Sequence, residues 1–110
     1  MNTIIKKMNR EILEFIRHMD VDPGRERPVT VWFYSDDEER IYLIASRLKE
    51  SGYRIECCEY CDDSRDYLCI AEKQLTTSAA TIDKLCTDMQ QLAARLGVTF
   101  DGWETRIDPG

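Results

Sequence analysis

Apolar residues in the first part of the chain recur at a spacing of three and four residues, which is the period of one helix face. They are Ile5, Met8, Ile12, Phe15, Ile16 and Met19. This pattern predicts an amphipathic helix over residues 3–19. The segment that follows carries Pro23-Gly24 and Pro28 among charged residues, so it is predicted to be a solvated loop.

A strand and a second helix are predicted next. Residues 29–34 (VTVWFY) are β-branched and aromatic, which favours a central strand covered on both faces. Ser35-Asp36-Asp37-Glu38 matches a capping box, in which the serine hydroxyl accepts from a first-turn amide and the glutamate reaches back. Gly52 stands where a left-handed C-terminal cap belongs. The apolar residues of the helix between them are Ile41, Ile44, Ala45 and Leu48.

A strand pair, a long helix and a last strand complete the pattern. Residues 53–60 alternate through Tyr53, Ile55 and Cys57, and a polar turn leads to a run at 67–75, so these runs are predicted to form a hairpin. Any of residues 76–78 could cap the next helix, which Gly97 ends before a strand at 98–107. The apolar stripe of that helix is Ile82, Leu85, Cys86, Met89, Leu92, Ala93 and Leu96.

The order of these elements predicts the fold. After the first helix they run β-α-β-β-α-β, and right-handed crossovers turn this order into a four-stranded antiparallel sheet with two helices on one face. The predicted class is therefore α+β, ferredoxin-like, as a single domain of residues 1–110 with its core at 29–107. The helix at 3–19 either joins the helical layer or covers part of the other face, where Trp32, Tyr34 and Trp103 could otherwise be exposed. The sequence leaves open whether Trp32 and Trp103 are buried.

Charge bears on the choice of partner. The chain has 110 residues and a formal net charge of −6, and acidic residues concentrate at 36–39 and 56–66. Phosphate backbones are repelled by such a surface, so direct nucleic-acid binding is disfavoured. A basic protein patch is the better electrostatic match, and the alternative is that the acidic residues serve solubility alone. No signal peptide or membrane span is recognised, so the chain is expected in the cytoplasm with its five cysteines reduced.

Cysteine spacing raises a redox or metal hypothesis. Cys58-Glu59-Tyr60-Cys61 is a lone C-x-x-C with Cys57 beside it. A structural zinc site needs four ligands, and a thioredoxin-type thiol lies at the start of a helix, whereas this pair lies at the end of a predicted strand. We therefore interpret these cysteines as reduced thiols in a strand and its turn, and the redox or metal role stays the alternative. Cys69 and Cys86 are predicted to be core residues.

Other candidate chemistry is sparse. His18 is the single histidine, and no nucleophile stands at an interpretable spacing from it. Asp36, Asp37, Glu38 and Glu39 lack the spaced ligands and mid-loop glycine of a calcium loop. The five glycines are isolated, so no glycine-rich phosphate cradle is present. The sequence accordingly predicts a protein that is not an enzyme, without a catalytic, cofactor or metal site.

The last strand carries the most specific motif, Phe100-Asp101-Gly102-Trp103-Glu104. A glycine inside a strand next to an indole predicts a bulge or a close backbone approach. From residues 82–93 through this motif to Asp108-Pro109, the chain resembles the C-terminal half of RraB-type regulators of ribonuclease E activity. Residues 33–38, with the helix that ends at Ser51-Gly52-Tyr53, are similar to the first strand and helix of that family.

This resemblance, which covers most of residues 29–109, implies a ferredoxin-like domain that binds ribonuclease E away from its catalytic part. RNA decay would then be lowered or redirected by protein contact. Residues proposed for partner contact are Trp32, Tyr34, Asp36, Asp37 and Glu38. Two alternatives stay open beside the redox hypothesis: an immunity or accessory protein for another partner, and a homodimer formed through an exposed aromatic sheet face.

Overall fold

A computed structural model describes residues 25–105. The helix predicted at 3–19, His18 and the end of the last predicted strand lie outside the described residues. Within them, the chain forms four strands and two helices in the predicted order. The elements are β1 (Glu26–Ser35), α1 (Glu38–Glu50), β2 (Arg54–Cys61), β3 (Asp66–Thr76), α2 (Ala79–Leu96) and β4 (Thr99–Thr105).

The strands form one antiparallel sheet in the order β2-β3-β1-β4. Both helices pack on the same face of the sheet, α1 over β2 and β3 and α2 over β4. This arrangement is the predicted ferredoxin-like α+β fold. Because Ser35 lies opposite Tyr67 and Cys61 opposite Asp66, β1 and β2 end, and α1 begins, at one end of the sheet.

The core lies between the sheet and the two helices. β1 contributes Val29, Val31 and Phe33, all fully buried. The centre of the Phe33 ring lies 5.2 Å from the centre of the Phe100 ring on β4. Cys69 and Cys86 are both buried in this layer, as predicted. Burial of this apolar surface is the main stabilising contribution. The helices add Ile41, Ile44, Leu48, Ile82, Leu85, Met89 and Ala93.

Helix ends follow the predicted signals in three places and depart from them in one. Ser78 caps α2, Gly97 ends it in the left-handed region (φ 70°), and Gly52 after α1 has φ 91°. The capping box at Ser35 was wrong: Asp37 is the N-cap, and its carboxylate accepts from the Glu39 amide at 2.9 Å. Because β1 extends through Ser35, that hydroxyl accepts instead from the Asp37 amide at 3.0 Å.

Two bulges set which side chains reach the core. In β4 the register shifts so that Asp101 is the extra residue, and Gly102 adopts φ 116°, in agreement with the bulge predicted there. In β2 the extra residue is Glu56. The alternation predicted through Cys57 was therefore wrong, since Cys57 pairs with Ile70 and Cys58 takes the inward position opposite Cys69.

Candidate protein-binding surface

The motif of the last strand is mainly part of the core. Trp103 lies opposite Val31 on the helical side and is 6% exposed, and Phe100 is 8% exposed. The sequence left open whether Trp103 is buried, and the structure places it in the core because the extra residue Asp101 reverses the alternation after Phe100. Only Asp101 and Glu104 of the motif are exposed. The motif thus shapes the sheet edge, and its two exposed side chains are carboxylates.

Trp32 and Tyr34 lie on the sheet face opposite the helices. They pair with Ile70 and Leu68 of β3, and all four side chains are half-buried. Burial, followed by the charge of Asp101, raises the pKa of the Tyr34 hydroxyl. The outer face therefore has an apolar centre beside a carboxylate from β4.

The predicted acidic residues lie at the end of the sheet where α1 begins. Asp36 and Glu38 are exposed, and Asp37 is half-buried as the N-cap. Asp37 also pairs with Arg40 at 3.5 Å. Asp62 and Asp63, in the turn between β2 and β3, are exposed at the same end. We call this the acidic end, defined by residues 36–39 and 62–66.

Three exposed apolar side chains in the same region were not singled out from the sequence. Tyr42 is 53% exposed, Leu43 50% and Tyr60 48%. Tyr42 and Leu43 fall off the apolar stripe of α1, which is the signal that could have identified them, since the outward side of an amphipathic helix is normally polar. Large apolar side chains exposed together commonly mark an interaction site.

Tyrosines from α1, β2 and β3 lie in one region beside the acidic end. The centres of the Tyr60 and Tyr67 rings lie 5.2 Å apart, in an edge-to-face arrangement. The Tyr42 hydroxyl donates to the Glu38 carboxylate, and the charge of Glu38 is the main cause that raises the Tyr42 pKa. Tyr67 contributes, as the smallest cause, to the same upward shift of the Tyr42 pKa. We call Tyr42, Leu43, Tyr60 and Tyr67 the tyrosine patch.

The cysteines of the C-x-x-C do not converge. Side chains three residues apart in a strand point to opposite faces, so Cys58 faces the core while Cys61 lies opposite Asp66 at the turn. Cys58 accepts a hydrogen bond from the buried Cys69 thiol on the neighbouring strand. All five cysteines are free thiols. The structure therefore places the Cys58 thiol beside the Cys69 thiol without a disulfide, and the spacing in the sequence did not indicate this contact.

The thiols differ in their electrostatic surroundings. Burial raises the pKa of Cys69 to about 12. Burial likewise raises the pKa of Cys57 and of Cys58. Hydrogen bonds from the Ser64 hydroxyl and amide lower the pKa of Cys61, because they stabilise the thiolate. Within residues 25–105, no group of three or more histidine, cysteine or acidic side chains is placed to hold a metal ion.

Neither helix within residues 25–105 is long and apolar enough to span a membrane.

The sequence model of the family described as regulator of ribonuclease activity B, RraB, matches residues 6–105. No curated protein matches the chain. The match includes the whole sheet, both helices and the aromatic-Asp-Gly-Trp strand, and it agrees with the resemblance seen in the sequence. Because it covers nearly the whole length, the chain belongs to the RraB family of ribonuclease regulators.

Proposed function

We propose that the chain binds ribonuclease E and lowers or redirects its activity by protein–protein contact, without catalytic chemistry of its own. The observation that carries the proposal is the family match over residues 6–105. A regulator that acts by contact needs a stable scaffold and an exposed recognition surface. The exposed tyrosines beside the acidic end supply residue types that are enriched at the energetic centres of interfaces.

Charge supports a protein target over an RNA target. The formal net charge of −6 disfavours approach to a phosphate backbone and favours approach to a basic protein surface. Contacts with the ribonuclease would include the carboxylates of residues 36–38 and, on the outer face, Trp32 and Tyr34. The proposal also requires a shared compartment, which we take to be the cytoplasm.

The experiment that tests this function is RNA cleavage by purified ribonuclease E, with and without the chain. We expect cleavage to slow, or the cleavage sites to change, as the chain approaches the concentration of the enzyme. An unrelated ribonuclease acting on the same RNA is the control and should be unaffected. Unchanged cleavage by ribonuclease E at micromolar concentrations of the chain would remove this target.

A further inference from the structure

We propose that the tyrosine patch, together with the acidic end, is the docking surface for a lysine- and arginine-rich segment of a partner protein. This inference rests on the proposed function, because it names the surface through which the regulatory contact is made. It assigns the main energetic role to Tyr42 and Tyr60. The outer face with Trp32 and Tyr34 is then secondary.

The tyrosine patch is chosen because it holds large apolar side chains that are exposed to solvent. Among residues 25–105, the large apolar side chains that are exposed are Tyr42, Leu43 and Tyr60. They come from α1 and β2, which pack against each other, and Tyr67 of β3 connects them by its ring contact with Tyr60 and its proximity to Tyr42. Two elements thus present exposed tyrosine rings at one corner of the molecule, and the half-buried Tyr67 of a third element lies beside them.

The charge at the border of the tyrosine patch indicates which kind of segment binds there. Exposed carboxylates of Glu38 and Glu39 lie at the start of α1, and those of Asp62 and Asp63 lie in the turn after β2. Arg40 in the first turns of α1 pairs with Asp37 and donates to the Gly97 carbonyl on the side of α1 that faces α2. Arg65 is exposed in the turn after β2, where the acidic residues outnumber it. Carboxylates therefore dominate the border of the patch, which favours a cationic segment and repels phosphate.

Ring chemistry fits the same occupant. Guanidinium and ammonium groups bind over tyrosine faces by cation–π attraction, and they pair with carboxylates at the border. The chain itself shows this contact elsewhere, with the Lys73 ammonium 5.4 Å from the centre of the Tyr53 ring. Tyrosine also loses little side-chain entropy on binding, which makes it an effective anchor. A basic segment satisfies both the rings and the carboxylates.

The test uses the full chain and two variant pairs. Tyr42→Ala/Tyr60→Ala removes the rings from exposed positions, and Glu39→Lys/Asp62→Lys reverses charge at the border. Asp83→Lys/Glu104→Lys makes the same change in net charge at the opposite end of the sheet, where β4 ends and α2 begins. Circular dichroism and thermal unfolding establish that each variant is folded. Binding to ribonuclease E and to a synthetic arginine-rich peptide is then measured by titration calorimetry.

We expect the tyrosine variant to bind ribonuclease E about tenfold more weakly or worse, since hot-spot residues have effects of this size. The border variant, Glu39→Lys/Asp62→Lys, should weaken binding to a similar extent. The control, Asp83→Lys/Glu104→Lys, should change binding by less than about twofold. If wild type binds ribonuclease E and the folded tyrosine variant binds equally well, the surface is wrong while the proposed function stands.

The peptide separates the two proposals. Binding of wild type to the peptide but not to ribonuclease E, with loss in the tyrosine variant, supports the surface and overturns the ribonuclease target. Binding to neither overturns both. The inference about a basic protein segment is also overturned if the patch variants abolish binding of single-stranded RNA, or if they abolish only self-association measured by sedimentation.

Discussion

Trp103 is a core residue rather than an exposed recognition residue, and this has a measurable consequence. It lies against the helical layer opposite Val31 and is 6% exposed. Trp103→Ala should reduce the free energy of unfolding by about 3–5 kcal/mol, because it removes a large buried side chain and leaves a cavity. Trp103→Phe, which retains most of the apolar volume, should cost less and should leave partner binding nearly unchanged. Urea denaturation measures both, and a loss below about 1 kcal/mol for Trp103→Ala would contradict the buried position.

Gly102 is required by its backbone conformation and not by lack of space. Its φ of 116° is disfavoured for residues with a side chain, and an added Cβ would meet no atom within 4 Å. Gly102→Ala should therefore destabilise the protein by about 1–3 kcal/mol through backbone strain alone. Glu104→Ala, at an exposed position in the same strand, is the control. Thermal unfolding that gives equal losses for the two variants would count against the strained conformation.

The five thiols should react at different rates. Alkylation requires the thiolate, so Cys61, whose pKa is lowered by hydrogen bonds from Ser64, should react first and at lower pH than Cys57. Cys69, buried with a pKa raised to about 12, should react last. Timed iodoacetamide labelling followed by peptide mass spectrometry measures the order. Ser64→Ala should slow the labelling of Cys61, and labelling of Cys69 before Cys61 would be inconsistent with the structure.

At the level of elements, the start of α1 shows how neighbouring signals compete. Asp37 caps the helix, whereas Asp36, one residue earlier, is exposed and accepts no first-turn amide within residues 25–105. Asp37→Ala should cost about 1 kcal/mol of stability. Asp36→Ala removes a carboxylate from the same end of the helix, so the two variants lose a similar interaction with the helix dipole. Because Asp36→Ala retains the cap, it should cost less stability than Asp37→Ala. Denaturation curves that rank the two variants the other way would reject this cap.

Periodicity predicted the order and type of the elements well. The stripe of α2 and the left-handed Gly97 after it leave one consistent interpretation, and β1 is apolar enough to be recognised as a central strand. Local sequence did not determine the details that depend on pairing. Cys57 and Cys58 are chemically equivalent, so only the register with β3 decides that Cys58 faces the core. Ser35 and Asp37 can both cap a helix, and the length of β1 decides between them.

At the scale of the whole molecule, the fold brings distant acidic segments together. Residues 36–39 and 62–66 are separated in the sequence, yet both lie where β1 and β2 end. The sequence predicted the carboxylates at 36–38 as contact residues, and these remain a proposal. Tyr42 and Leu43 could have been noticed because they fall off the apolar stripe of α1. Their common location with Tyr60 could not be predicted from local pattern, because it depends on how α1 packs over β2 and β3.

We propose that regulation occurs through contact with ribonuclease E and does not involve RNA. The most direct measurement is an equilibrium titration of purified ribonuclease E with the full chain in the absence of RNA, repeated at increasing salt concentration. We predict saturable binding at micromolar concentrations or below, weakening as salt screens the acidic end. No binding at micromolar concentration, or binding that appears only when RNA is added, would contradict the account.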